Sequence, residues 1–409
     1  MKSVSFRSLW IGQAFANLGD VFYIVGMISM MYSVSQSAFF LALLPFINTV
    51  GRFASGYLSP LLFDKYRLKS LLCFSQISKT VVFFGLALWL TWTDGVFSFV
   101  LFGVFLLAFL DGWADPASRA MLPRLVGKEE IVRANSLFSV VSQVIQLGGW
   151  ALGGVLVAWL GGRSVLWVTF LLFVVASGLM LLIRDRTNVA VGTGGAPAAS
   201  VLKRGWQAIW QTPVFLSIHI VLFLESMANV VWIAAIIYVF VSEVLDKSEA
   251  WWGYINTTFF IGLLLGGLLT AVYARLMERH LFRMLLWSAI AVSIFTVVFG
   301  LNRAAIMALV LSVLFGICEQ IKSIAMETYL QKKAEPEDLP NIYGAQGALT
   351  SLTFGIASLT MGALAEAFGV QSVFLLAGGL LAASAGYLFF MRGRFLVTLK
   401  SEHQEEKTV

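Results

Sequence analysis

Twelve long apolar segments follow one another along this chain, and its lysines and arginines gather in every second connection between them. With the N-terminus placed in the cytoplasm, the inner side holds Lys2 and Arg7, then Lys65, Arg67 and Lys69, then Arg119, Arg124, Lys128 and Arg133. It continues with Arg184, Arg186, Lys203 and Arg204, with Arg275, Arg279 and Arg283, with Lys332 and Lys333, and with Arg392, Arg394, Lys400 and Lys407. The outer connections hold Arg163, Lys247 and Arg303. Cytoplasmic loops retain Lys and Arg because translocating them is costly, so the bias orients the bundle with both termini inside. Arg52, Lys79 and Lys322 remain, each within an apolar segment. A charge at the bilayer centre costs about 2.5–3.5 kcal/mol on insertion scales and normally faces a cavity or a partner.

A chain of 409 residues that is 59% hydrophobic and 12% charged suits twelve spans with short loops. A span needs about 20 apolar residues, and soluble domains carry about 25% charged residues. The net charge of +6 is scattered over inner loops and forms no patch interleaved with aromatics. It therefore reflects sorting across a bilayer and not a nucleic-acid partner. Cys73 and Cys318 fall within spans and read as small buried apolar groups, with no disulfide framework or metal-ligand spacing. The N-terminal segment lacks the short apolar core and cleavage site of a signal peptide, so the first span is expected to be retained. No Walker loop, His-rich tract or Ser-His-Asp set is present. Neither ATP-driven transport nor intramembrane proteolysis has chemical support, and neither enzymatic activity nor a cofactor is expected.

The apolar runs predict spans near 6–33, 37–63, 70–93, 96–118, 134–160, 163–183, 213–241, 250–274, 283–301, 304–328, 339–367 and 370–391. Between the sixth and seventh lies a Gly-rich stretch ending at Ser200, which reads as a flexible linker. Val201–Trp210 then reads either as a plain loop or as an interfacial helix that sets Leu202, Trp206, Ile209 and Trp210 on one face. The two halves resemble each other. Asp64-Lys65-Tyr66-Arg67-Leu68-Lys69 recurs as Glu278-Arg279-His280-Leu281-Phe282-Arg283 at an offset of 214 residues. Asp20 and Glu225 recur at 205, and Gly112/Asp115 and Gly316/Glu319 at 204. Three matches at similar offsets argue for homologous halves. The expected fold is an all-α integral membrane protein of twelve transmembrane helices in two pseudo-symmetric six-helix bundles. Its parts are an N-terminal bundle (1–184), a linker with the interfacial helix (185–212), a C-terminal bundle (213–391) and a cytoplasmic tail (392–409).

This organisation resembles the major facilitator superfamily, and in particular its bacterial macrolide-efflux-like branch of drug:proton antiporters. Leu18-Gly19-Asp20 resembles the branch's Gly-Asp in span 1. The stretch from Asp115-Pro116 to Leu125-Val126, with Arg133-Ala134-Asn135-Ser136-Leu137, resembles its loop 4–5 signature. After Gly56, residues Asp64, Lys65 and Lys69 match the acid, first base and last base of the family's loop 2–3 motif. Pro60 and Arg67 stand where that motif has glycines, and Trp150 replaces the proline of the span-5 antiporter element, leaving Gly149, Gly153 and Gly154. The resemblance implies efflux of amphipathic small molecules by proton antiport through alternating access, with no nucleic acid involved. It also implies a monomeric, multi-pass protein of the bacterial plasma membrane, and a central cavity lined by spans 1 and 7.

Candidate site residues follow. Asp20 and Glu225 lie twelve to fourteen residues into their spans, roughly 20 Å deep at ~1.5 Å per residue. Each is either a carrier of the coupling proton, or a contact for a cationic substrate, or a buried acid satisfied by Asn17, Asn229 or backbone. Arg52 and Lys79 either neutralise Asp20 or an anionic substrate, or snorkel to the inner headgroups. Asp111, Asp115 and Arg119, spaced by four, are expected to stack on the inner end of span 4, with Glu319 and Lys322 similarly placed on span 10. There Asp115 would pair with Lys65 or Lys69, and Glu319 with Arg279 or Arg283, as a cytoplasmic gate alongside Glu278. Asp64 would face the N-terminus of span 11, where the helix dipole favours a carboxylate. His219 reads as a packing residue sooner than a proton relay, Glu366 and Asp94 as solvated acids. Phenylalanines on spans 1, 4, 7 and 10 could form a greasy substrate wall. Two rivals stand beside efflux: a lipid or lysolipid translocator of the same fold, favoured by Arg52, Lys79 and Trp150, and a non-transporting membrane enzyme or receptor.

Overall fold

The computed structural model describes residues 3–35, 38–93, 97–185, 198–232, 234–248, 250–393 and 395. Most of the linker, Asp94 and the tail beyond residue 395 lie outside these. The first half contains α1 (Val4–Ser35), α2 (Ala38–Phe63), α3 (Leu68–Trp92), α4 (Phe97–Gly112), α5 (Ala114–Leu125), α6 (Ile131–Leu160) and α7 (Gly162–Leu181). Helix α8 (Ala198–Gln211) precedes the second half. There follow α9 (Pro213–Ala228), α10 (Ala234–Glu243), α11 (Ala250–Val272), α12 (Ala274–Arg279), α13 (Leu281–Leu301), α14 (Ala305–Lys333), α15 (Leu339–Phe368) and α16 (Val370–Phe390). Among the described residues there is no strand, and eleven helical segments are long and apolar enough to cross a membrane. The long helix α2 completes the twelve spans.

Two spans are broken where an uninterrupted helix is expected. Span 4 stops at Gly112, turns at Trp113 and resumes as α5. Pro116 lacks an N–H, and its ring opposes the carbonyl four residues back, that of Gly112, where the helix ends. Span 7 tightens into a single turn over Asn229–Trp232 before α10. The repeat is visible in the packing. In the first half α1 lies on α7, α2 on α4, and α3 on both α4 and α7. In the second, α9 lies on α16, α11 on α14, and α13 on both α14 and α16. Gly161 (φ 77°) joins α6 to α7, and Gly369 (φ 83°) joins α15 to α16. Both stand in the left-handed region, where a side chain is strained.

Small residues set the closest crossings. A Cβ on Gly112 would sit 2.5 Å from that of Ser55, and one on Gly51 2.9 Å from the Phe105 carbonyl, so α2 and α4 meet through glycine. Across α11 and α14, a Cβ on Gly266 would stand 2.5 Å from the Ile317 carbonyl and one on Gly316 2.5 Å from that of Phe259. Gly262 lies in the same crossing, where a Cβ would stand 2.3 Å from the Val313 carbonyl: small residues allow backbones to approach. By contacts the chain forms two compact units. One comprises residues 1–131, 141–206 and 334–348, the other 132–140, 207–333 and 349–409. Large apolar side chains stay exposed on each, among them Trp92 and Trp159 in the first and Phe390 and Val272 in the second. A lipid-facing surface requires this.

Helix α8 forms, as the interfacial reading expects. Val201, Gly205 and Ile209 are buried, whereas Trp210 is 67% exposed. The reason is Gly205, at which a Cβ would collide with the Asn341 carbonyl. The helix docks through its smallest residue, not its bulkiest.

Candidate functional site

Each unit buries one cluster of charges. In the first, Gly19 lets α1 approach the Phe173 ring so closely that a Cβ there would clash. Asp20, the next residue, then lies 2.6 Å from Lys79 Nζ on α3. Lys79 also reaches Asp111 at the end of α4, at 3.0 Å, and its ammonium sits 4.8 Å from the centre of the Phe173 ring. Arg52 on α2 binds Asp111 and lies 3.8 Å from Asp20. The Lys79 side chain is 1% exposed and that of Arg52 45%. Lys79 therefore does not snorkel. It is the buried hub of a four-charge set in which two acids meet two bases.

In the second unit Lys322 on α14 is the hub, also 1% exposed. Glu225 on α9 is 3.1 Å from its Nζ and Glu319, one turn earlier on α14, 2.7 Å. Asn229 donates its amide to Glu319 Oε1 at 3.3 Å, and Ser384 on α16 donates to Glu225 Oε1 at 3.4 Å. Both clusters thus hold a lysine between two carboxylates, but the lysine comes from span 3 in one half and from span 10 in the other. Charges held this way attract strongly because the surroundings are poorly polarisable, and removing one partner leaves the others uncompensated.

Several expectations for the inner gate are corrected. Asp111 does not stack with Asp115 and Arg119, because the break at Trp113 separates them. Asp115 pairs with Arg119 at 3.0 Å on an exposed face, and neither Lys65 nor Lys69 forms an ion pair among the described residues. Glu319 pairs with Lys322 in the buried cluster, and not with Arg279 or Arg283, which have no ion pair among the described residues. Glu278 instead binds Lys332. Buried Asp64 accepts a bond from Arg204 of α8 at 2.9 Å. The start of α15 does lie nearby: a Cβ on Gly344 would stand 2.8 Å from Ser59 Oγ on α2.

Other roles were not readable from sequence. Asn135 of the loop 4–5 signature donates to Gln331 (2.8 Å) and Thr328 (3.2 Å), all three buried. Arg124 binds the Pro336 carbonyl and lies 3.7 Å from Asp185. Within-span polar residues that pair across the fold carry no local spacing, so nothing in the string marks them. His219 bonds the Phe215 carbonyl through Nδ1 at 2.7 Å, the packing role expected. Phe315 stacks on Trp232 at 3.9 Å within a buried aromatic core that includes Phe299 and Phe374.

Twelve spans in two repeats, each with a buried lysine–carboxylate cluster, define a membrane transporter of the two-bundle kind. The chain belongs to the Major Facilitator Superfamily, whose profile matches residues 9–301 and 232–408. It is 28% identical over 391 residues to the uncharacterized MFS-type transporter YfmI of Bacillus subtilis, covering 95% of this chain and 96% of that one. It is 25% identical over 282 residues to the multidrug efflux pump Tap of Mycolicibacterium fortuitum, covering 66% of each. Its fold is similar to that of the human organic anion transporter MFSD10, with a TM-score of 0.77 at 11% identity over 94% of this chain and 99% of that one.

Proposed function

We propose that the protein is a secondary-active efflux transporter of a bacterial plasma membrane, with both termini in the cytoplasm, acting as a monomer. It exports amphipathic small molecules against an inward flow of protons. It does so by alternating access, with 1–184 and 213–391 as its two bundles. The observation that carries this reading is the pair of buried charge clusters, one per repeat. Intramembrane ionisable groups are retained where they serve ion or substrate pathways. The relation to an efflux pump supports the outward direction and the amphipathic substrate class. The inner-end pairs Asp64–Arg204 and Glu278–Lys332 serve as contacts that form and break during the cycle.

The rival lipid translocator drew on Trp150 and on the basic pair Arg52 and Lys79. Both bases are already bound to Asp20 and Asp111, which weakens that reading. The test is reconstitution into liposomes with an imposed pH gradient, screened against dyes, macrolides, siderophores and lysolipids. Efflux driven by the gradient and abolished by a protonophore is the expected result. Movement of lysolipids alone, indifferent to the gradient, would overturn it.

A further inference from the structure

We infer that the Glu225–Lys322–Glu319 triad is the proton-binding site of the transport cycle, while the cluster around Asp20 is a self-neutralised strut; this rests on the proton-coupled reading above. The argument is one of charge balance. Fully ionised, the first cluster sets Asp20 and Asp111 against Arg52 and Lys79, and the charges cancel. The second sets Glu225 and Glu319 against Lys322 alone. It carries one negative charge too many. The missing base can be located. Gly51 is one of the glycines at which α2 meets α4, and Gly262 is one of those at which α11 meets α14. The residue after Gly51 is Arg52, whereas the residue after Gly262 is Leu263.

The surrounding elements supply no substitute. Along α11 and α16 there is no charged side chain, and α13 offers only Arg283, in its first turn. The other titratable groups on these faces form no ion pair with the triad among the described residues. His219 is bonded to the Phe215 carbonyl, Tyr387 lies 3.3 Å from Ser217, and Cys318 sits beside Glu319 in the sequence. A buried charge without a partner is costly, and two carboxylates facing one ammonium bind a proton as a pair. Asn229 supplies a second, independent sign. Its amide N–H donates to Glu319, while its own Oδ1 is buried and meets no donor among the described residues. A proton on the Glu319 carboxyl, whose Oε1 already accepts from the Asn229 amide, would offer such a donor. Taking up the proton frees one acid from Lys322 and loosens the tie between α9 and α14. That links proton occupancy to the geometry of spans 7 and 10.

The test reads protonation directly, on purified full-length protein without substrate, by infrared difference spectroscopy of the protonated-carboxyl stretch across a pH titration. A reversible band is expected in the wild type. It should be lost in Glu225→Gln and equally in Glu319→Gln, because either change leaves one acid balanced by Lys322. It should persist in Asp20→Asn. A band surviving both Gln variants, one lost in Asp20→Asn, or none in the wild type would overturn the assignment. Should Glu225→Gln fail to fold, the more accessible Glu319→Gln carries the test. A titrating triad in a protein that moves neither ethidium nor a macrolide on a pH gradient would instead overturn the antiport reading.

Discussion

At the scale of single residues, Asp20, Arg52, Lys79, Glu225 and Lys322 were legible because a charge inside an apolar run is conspicuous. Which charges meet was not, because partners come from spans distant in sequence. Asp111 shows the difficulty best. Its spacing of four from Asp115 suggested a shared face, but the chain breaks at Trp113 and turns Asp111 towards Lys79 and Arg52. Lys79 is the residue on which the first cluster depends. Lys79→Met leaves two carboxylates with only Arg52, and breaking a buried pair costs about 3–5 kcal/mol. A markedly lower unfolding temperature in detergent is expected. Adding Asp20→Asn should recover part of it by restoring charge balance, a coupling that a double-mutant cycle measures. A Lys79→Met protein as stable as wild type would mean the lysine holds nothing together.

Among the elements, span positions were legible to within a few residues, since length and hydropathy fix them. The docking contact of α8 was not, because hydropathy weights large side chains and the helix docks by a glycine. Helix crossings follow the same rule and are directly testable. Gly316→Ala places a methyl 2.5 Å from the Phe259 carbonyl, while Gly253 on α11 has open space around it. Overpacking costs about 1–3 kcal/mol, so Gly316→Ala should lower the unfolding temperature and Gly253→Ala should not. Equal behaviour of the two would refute the close crossing. The tie between α2 and α8 allows a charge-swap test. Asp64→Arg should slow transport by setting two guanidiniums together, and Arg204→Asp in the same protein should partly restore it. No rescue would mean that the pair observed at 2.9 Å has no part in the cycle.

Across the whole molecule, the repeat was read from sequence offsets and recurs in the packing, but its chemistry is not symmetric. The offset of 204 sets Asp115 beside Glu319. In the folded chain the counterpart of Glu319 is Asp111, since each is the span-4 or span-10 acid bound to its half's buried lysine. Homology preserves backbone register better than it preserves which turn carries the acid, so the lysine-bound acid lies about one turn apart in the two halves. Topology is the property the sequence states most strongly, because it sums over many loops and no single side chain decides it. It predicts that Lys128, between α5 and α6, is cytoplasmic, and that Lys247 and Arg303 are external. All three side chains are exposed, so each is open to reagent on its own side. Cys73 is buried and Cys318 half-buried, and both are replaced by serine beforehand to give a silent background. An impermeant maleimide applied to intact cells should then modify Lys247→Cys and Arg303→Cys and spare Lys128→Cys until the membrane is opened. Labelling of Lys128→Cys in intact cells, with the other two protected, would invert the bundle. It would place the basic loops on the side that insertion disfavours, and the outward direction of transport would fall with it.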